Sequence, residues 1–235
     1  MQIQFSTRLT ATLAASSIFL SQILAPQPLL AAHLPFQQYN TASDIPQKMF
    51  QDHKSIYGSV ERITDGDTLR IRHIPLYPFQ KSNNYDGKLS ENTIPIRLYA
   101  IDAPEIGKYG NPSMPFAEDA KDWLSNNAKD KIVKVKLLRR DQYNRVVGKV
   151  TTKRRFIPSF ISRQDLSLGL AHDGLATLYK GRGAEYDGNL RQFETEIERA
   201  RVKKLGLWRN GPDNVMNPSE YKRMMKTKPE FVPIG

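Results

Sequence analysis

Cysteine is absent from all 235 residues, which rules out disulfides, thiolate metal sites and cysteine nucleophiles in any redox compartment. Histidine is scarce: His33, His53, His73 and His172 form no i, i+3 or i+4 pair, so the spacing does not suit a histidine-built zinc site. Any metal must take oxygen or isolated imidazole ligands. Acidic residues are missing from the first 43 positions, which carry one charge, Arg8. A long uninterrupted apolar run is missing too. The stretch "LTATLAASSIFLSQILA" is broken by Thr, Ser and Gln and followed by Pro26, short of the ~20 mainly apolar residues of a bilayer span. That texture suits a cleavable signal segment over residues 1–32, with Ala31-Ala32 as the cleavage point and a secretory or extracellular destination. Two rivals stand beside it: a transit sequence for the mitochondrion or another organelle, and an uncleaved membrane anchor.

What is abundant is positive charge. Lys and Arg number 35 against 24 acidic residues, a formal net charge of +11, and such a surface attracts polyanions, nucleic acid first among them. The length suits one core domain with additions at either end. After the leader, residues 33–55 read as a polar linker, 56–208 as the domain, and 209–235 as a basic tail with four prolines, expected to be poorly ordered.

Within the domain, "IYGSVERI" and "TLRIRHI" flank the turn "TDGD", a hairpin signal. Residues 75–93 carry prolines, paired Asn and Asp-Gly, and read as a surface insertion. "IPIRLYAI" reads as one strand stopped by Pro104. "MPFAEDAKDWLSNNAKD" has helical spacing, with Phe116, Ala120, Trp123 and Leu124 on one face. "KIVKVKLL" alternates, Val133, Val135 and Leu137 against Lys134 and Lys136, and "RRDQYNR" turns it into "VVGKVTT". A short helix capped by Asp165 and closed by Gly174, the brief extended "LATLY" and a longer helix from Leu190 complete the domain. The order predicts an α+β fold: a small barrel with packed helices, the five-stranded OB barrel foremost.

Three separated segments bring charged groups to strand ends or turns: "TDGDT", "RLYAIDAPE" and "DQYNR". Each alone is an ordinary turn or loop. Together they supply what phosphodiester hydrolysis needs. Asp67 and Asp102 are carboxylate ligands for a hard cation, Glu105 is placed to orient or deprotonate a water, and Arg97 and Arg145 are guanidinium forks for a phosphoryl group.

The blocks "ITDGDTLRI", "IPIRLYAIDAPE", "RDQYNRVVGKV", "HDGLATLY" and "KKLGLW" resemble, in order and spacing, the staphylococcal nuclease family over residues 56–208. "MPFAEDAKDWL", "RRDQYNRVV" and "GAEYDG" are similar to its branch of membrane-anchored fungal mitochondrial endonucleases. The resemblance implies a monomeric OB barrel with three helices and calcium-dependent cleavage of DNA and RNA. It implies metal binding by Asp67, Asp102 and the backbone oxygen of Ala103, with Glu105 as general base and Arg97 and Arg145 on the phosphate. Tyr143 and Tyr179 are implied to contact or stack on the nucleotide, while the family's lysine beside the first of these becomes Gln142. Two other readings stand against it: a catalytically inactive OB module that only binds nucleic acid, and a membrane-tethered scaffold with a basic face.

Overall fold

The computed structural model describes residues 37–80, 86–107, 110–153, 163–211 and 215–227. The leader reading, 1–32, lies outside these residues. Among the described residues no helix is long and apolar enough to cross a membrane.

Period-two alternation builds the barrel wall. Its strands are β1 (Ser55–Asp65), β2 (Thr68–His73), β3 (Ile94–Leu98), β5 (Ile132–Arg140) and β6 (Val146–Lys153), with β4 (Ile101–Asp102), β7 (Arg163–Asp165) and β8 (Thr177–Leu178) outside it. Ile56 and Val60 of β1, Leu69 and Ile71 of β2, Ile94 and Ile96 of β3, Val133, Val135 and Leu137 of β5, and Val146 and Val150 of β6 are all buried. β1 pairs antiparallel with β2 and β5, β2 with β3 and β5 with β6, and a parallel β3–β6 pairing closes the ring. This is the five-stranded OB barrel expected from the sequence.

Of the helices α1 (Gln47–Gln51), α2 (Ala117–Ala128), α3 (Leu166–His172), α4 (Leu190–Val202) and α5 (Pro218–Thr227), the middle three pack on the main core and α1 adds Phe50 to it. α2 buries Ala117, Ala120, Leu124 and Ala128; of its expected face Trp123 is only half-buried, and Phe116, also half-buried, precedes the helix at its N-cap with a left-handed φ of 65°. Asp165 caps α3, its Oδ1 accepting the N–H groups of Ser167 and Leu168 at 3.0 and 3.4 Å, a contribution of about 1 kcal/mol.

Three expectations are corrected. "IPIRLYAI" is not one strand: Ala100 takes a left-handed φ of 64°, which separates β3 from β4 at a cost of roughly 1 kcal/mol or more. Tyr99 anchors the break by donating its O–H to Asp165 Oδ2 at 2.7 Å.

The linker reading of 33–55 also fails over its described part. Tyr39, Ala42, Ile45 and Phe50 are buried in the main core, and Arg140 Nη2 donates to the carbonyls of Ala42 and Ile45 at 2.9 and 2.7 Å. Burying Ile45 and Phe50 stabilises by roughly 1.5–3 kcal/mol each. The tail, finally, contains α5, and Tyr221 on it is buried.

The N-terminal strap suggests a pH test. His73 stacks on Tyr39 with ring centroids 4.8 Å apart, and its Nδ1 accepts the Tyr39 N–H at 3.1 Å. Burial pushes the imidazole from its usual 6.5 down to about 4. Between those values the unfolded chain binds the proton and the fold does not, so stability falls as pH drops through that window, by about 3 kcal/mol in full. His73→Gln is expected to flatten the decline of Tm between pH ~6.5 and ~4. A variant profile parallel to wild type would remove His73 from this account.

Candidate active site

Close packing brings the first aspartate into place. A Cβ on Gly66 would lie 2.8 Å from Ala120 Cβ and 2.9 Å from Ala103 Cβ, so any larger residue would lift the β1–β2 turn, and Asp67 with it, off the Asp102–Ala103 segment. Asp102 arrives from the other side, redirected by the break at Ala100. Thr177 Oγ1 donates to the Asp102 carbonyl at 3.2 Å and fixes β4 against β8.

The two carboxylates converge on one atom. Arg97 Nη2 lies 3.3 Å from Asp67 Oδ2 and 2.7 Å from Asp102 Oδ1. Thr68 Oγ1 donates to the other Asp67 oxygen at 2.8 Å. Asp67 and Asp102 are only 7% and 4% exposed, so the shared guanidinium offsets much of their desolvation cost. Burial works against the Arg97 charge, but attraction to Asp67 and then Asp102 outweighs it, and the guanidinium pKa is raised above its ordinary value. The Arg97 guanidinium carbon also lies 5.0 Å from the centroid of the Tyr179 ring.

Arg97 opens into a cleft of about 360 Å³ lined also by Arg139, Tyr143, Arg145, Tyr179 and Arg182. Asp141 organises its β5–β6 rim. Its Oδ1 accepts the backbone N–H groups of Tyr143 and Arg145, both at 2.9 Å, while its Oδ2 accepts Arg145 Nε at 2.7 Å. The turn is thereby shaped and the guanidinium held over the ring of Tyr143, at 5.4 Å. Arg139 Nε donates to the Gly183 carbonyl at 2.7 Å and draws the 181–185 loop to the cleft; Gly183 has a φ of +72° with the Arg139 guanidinium against it.

Of the residues singled out in the sequence, Arg97, Tyr143, Arg145 and Tyr179 share this cleft, and Asp67 and Asp102 join it through Arg97. Ala103 is buried behind them. Glu105 follows on the exit from β4, half-buried and outside the cleft lining, its backbone tied to Met114. Sequence reasoning missed Asp141, although its i, i+4 relation to Arg145 across a turn was a usable signal. It also missed Arg139 and Arg182, which only tertiary contact brings to the cleft.

Among the described residues no three His, Asp or Glu side chains cage a metal. A cation here would be held by Asp67 and Asp102 with backbone oxygen and solvent. The residues fit such an ion: the donors are hard oxygens, and the two carboxylates already share one cationic nitrogen.

Residues 95–210 match the family of staphylococcal nuclease homologues. The chain is 37% identical over 196 residues to Endonuclease Htp3 of Saprolegnia parasitica, spanning 83% of this chain and 89% of that protein. It is 35% identical over 213 residues to Probable endonuclease LCL3 of Komagataella phaffii, spanning 87% and 89%, and 30% identical over 226 residues to Probable endonuclease lcl3 of Pyrenophora tritici-repentis, spanning 86% and 81%. With an OB barrel, paired aspartates and an arginine-lined cleft in place, these likenesses mean that the chain belongs to the staphylococcal nuclease family and is a phosphodiester hydrolase.

Proposed function

We propose that the protein is a calcium-dependent nuclease that cleaves DNA and RNA by attack of an activated water on phosphorus. The observation that carries this reading is the convergence of Asp67 and Asp102 on Arg97 at the edge of a cleft that Arg145 also lines. Asp67, Asp102 and the Ala103 carbonyl would hold the calcium ion, which when bound would supply Lewis-acid polarisation of a phosphoryl oxygen.

The chain's own groups do the rest. Arg145 has its Nε engaged by Asp141, so its two terminal nitrogens remain for a phosphoryl oxygen. Arg97 uses Nη2 on the aspartates, leaving Nη1 and Nε to offset the charge that builds up as phosphorus becomes five-coordinate. Glu105 takes the proton of the attacking water; a new P–O bond forms, the ester P–O bond breaks, and the leaving oxygen is protonated from solvent. Tyr143, 70% exposed, and Tyr179 offer ring faces to the bases. Arg139 and Arg182 supply cations that Gln142 does not.

The test is hydrolysis of single-stranded DNA by protein lacking residues 1–32, with calcium and with excess EDTA. The expected result is activity that EDTA abolishes and added calcium restores. Undiminished cleavage in EDTA would refute the metal role, and salt-sensitive binding without cleavage in calcium would leave a binding-only OB module.

A further inference from the structure

Helix α5 buries its apolar side apart from the barrel core. Tyr221, 8% exposed, packs with Met114 and Ala117, and Ile106 and Met225 complete the cluster. The Tyr221 O–H donates to the Pro112 carbonyl, a residue 109 positions earlier. A second attachment precedes the helix, where the Arg209 guanidinium carbon lies 5.5 Å from the centroid of the Phe116 ring.

The 105–114 segment meets α5 at Pro112 and Met114. It is closed at its base by two bonds between the same pair of residues: Met114 N–H donates to the Glu105 carbonyl at 2.9 Å, and Met114 Sδ accepts the Glu105 N–H at 3.3 Å. Gly107 N–H donates to Ser113 Oγ at 3.0 Å one step further out. The Met114 side chain, 3% exposed, is thus at once the acceptor that fixes the Glu105 backbone and the apolar group that α5 buries. Without α5, that thioether would face water and the pairing would have to hold by itself.

We propose that α5 is a positioning element for Glu105: Tyr221 and Met225 hold Met114, and Met114 holds the backbone from which the carboxylate projects. This rests on the nuclease reading in which Glu105 accepts the proton of the attacking water. A base must stand within hydrogen-bond reach of that proton, and a displacement of about 1 Å can cost on the order of 10²-fold in rate. Tyr221 is not one of the residues that line the cleft; it packs with Met114 and Ala117 and donates to Pro112, so its influence on the reaction runs through the Glu105 loop.

The experiment uses Tyr221→Ala and Tyr221→Phe in the protein lacking residues 1–32, each also combined with Glu105→Gln. It reads steady-state cleavage of single-stranded DNA in calcium, and backbone amide exchange at Glu105 and Met114 without substrate. Tyr221→Ala is expected to lower kcat roughly 10- to 100-fold with KM within about twofold, and to speed exchange at both amides. Tyr221→Phe, which keeps the ring and so the fold, should lose less. In the Glu105→Gln background Tyr221→Ala should cost about twofold or less, because residues acting through one group are not additive.

Equal losses in both backgrounds, or faster exchange with kcat unchanged, would overturn the proposal. A parent protein that cleaves nothing in calcium would overturn the nuclease reading instead, and the exchange data, read without substrate, tell the two failures apart.

Discussion

Replacing Arg97 by alanine is expected to lower cleavage of single-stranded DNA by roughly 10² to 10³-fold and, in EDTA, to lower Tm by about 10 °C. The second effect follows from burial. The Asp67 and Asp102 side chains are 10% and 6% exposed and share one counter-charge, Arg97 Nη2. Its removal leaves two neighbouring carboxylates in a desolvated site. Breaking a buried pair in this way costs on the order of 3–5 kcal/mol. A divalent ion should then restore what the guanidinium supplied, so calcium should raise Tm far more in Arg97→Ala than in wild type, where Arg97 already competes for the same oxygens. Equal Tm for variant and wild type in EDTA would show that the aspartates do not depend on Arg97. Unchanged cleavage would remove Arg97 from the reaction.

That competition was not legible in the sequence, although each of its members was. Asp67, Arg97 and Asp102 can be singled out because three turn-like segments carry acids and bases of the right kinds. Their convergence depends on two local features that are silent in a pattern of apolar and polar residues. One is Gly66, which only tertiary packing distinguishes from any other turn glycine. The other is the left-handed Ala100, which ends β3 inside a run that looks like one strand because Tyr99, Ala100 and Ile101 are all buried and apolar.

The barrel was easier to foresee. In β5, Val133, Val135 and Leu137 face inward between half-buried lysines, and period-two alternation of this kind reports a half-buried strand directly. The N-terminal strap offers no such period. Tyr39, Ala42, Ile45 and Phe50 are single anchors on mostly irregular backbone, so residues 37–54 resemble a linker until the surface they cover is known. α5 is hidden for a related reason: Tyr221 is useful only where Pro112 and Met114 stand opposite it, more than 100 residues back along the chain.

Glu105→Gln is expected to cause the largest single loss, on the order of 10² to 10⁴-fold in kcat, with KM little changed. The amide matches the carboxylate in shape and keeps its neighbours packed, so the loss isolates the ability to take a proton. The same variant separates proton handling from ion holding. Calcium should raise its Tm as much as it raises that of wild type, because the proposed oxygen ligands are Asp67, Asp102 and the Ala103 carbonyl, all still present. Should the calcium-induced shift in Tm collapse along with the rate, Glu105 would belong among the ligands of the ion, and the water would have to lose its proton elsewhere.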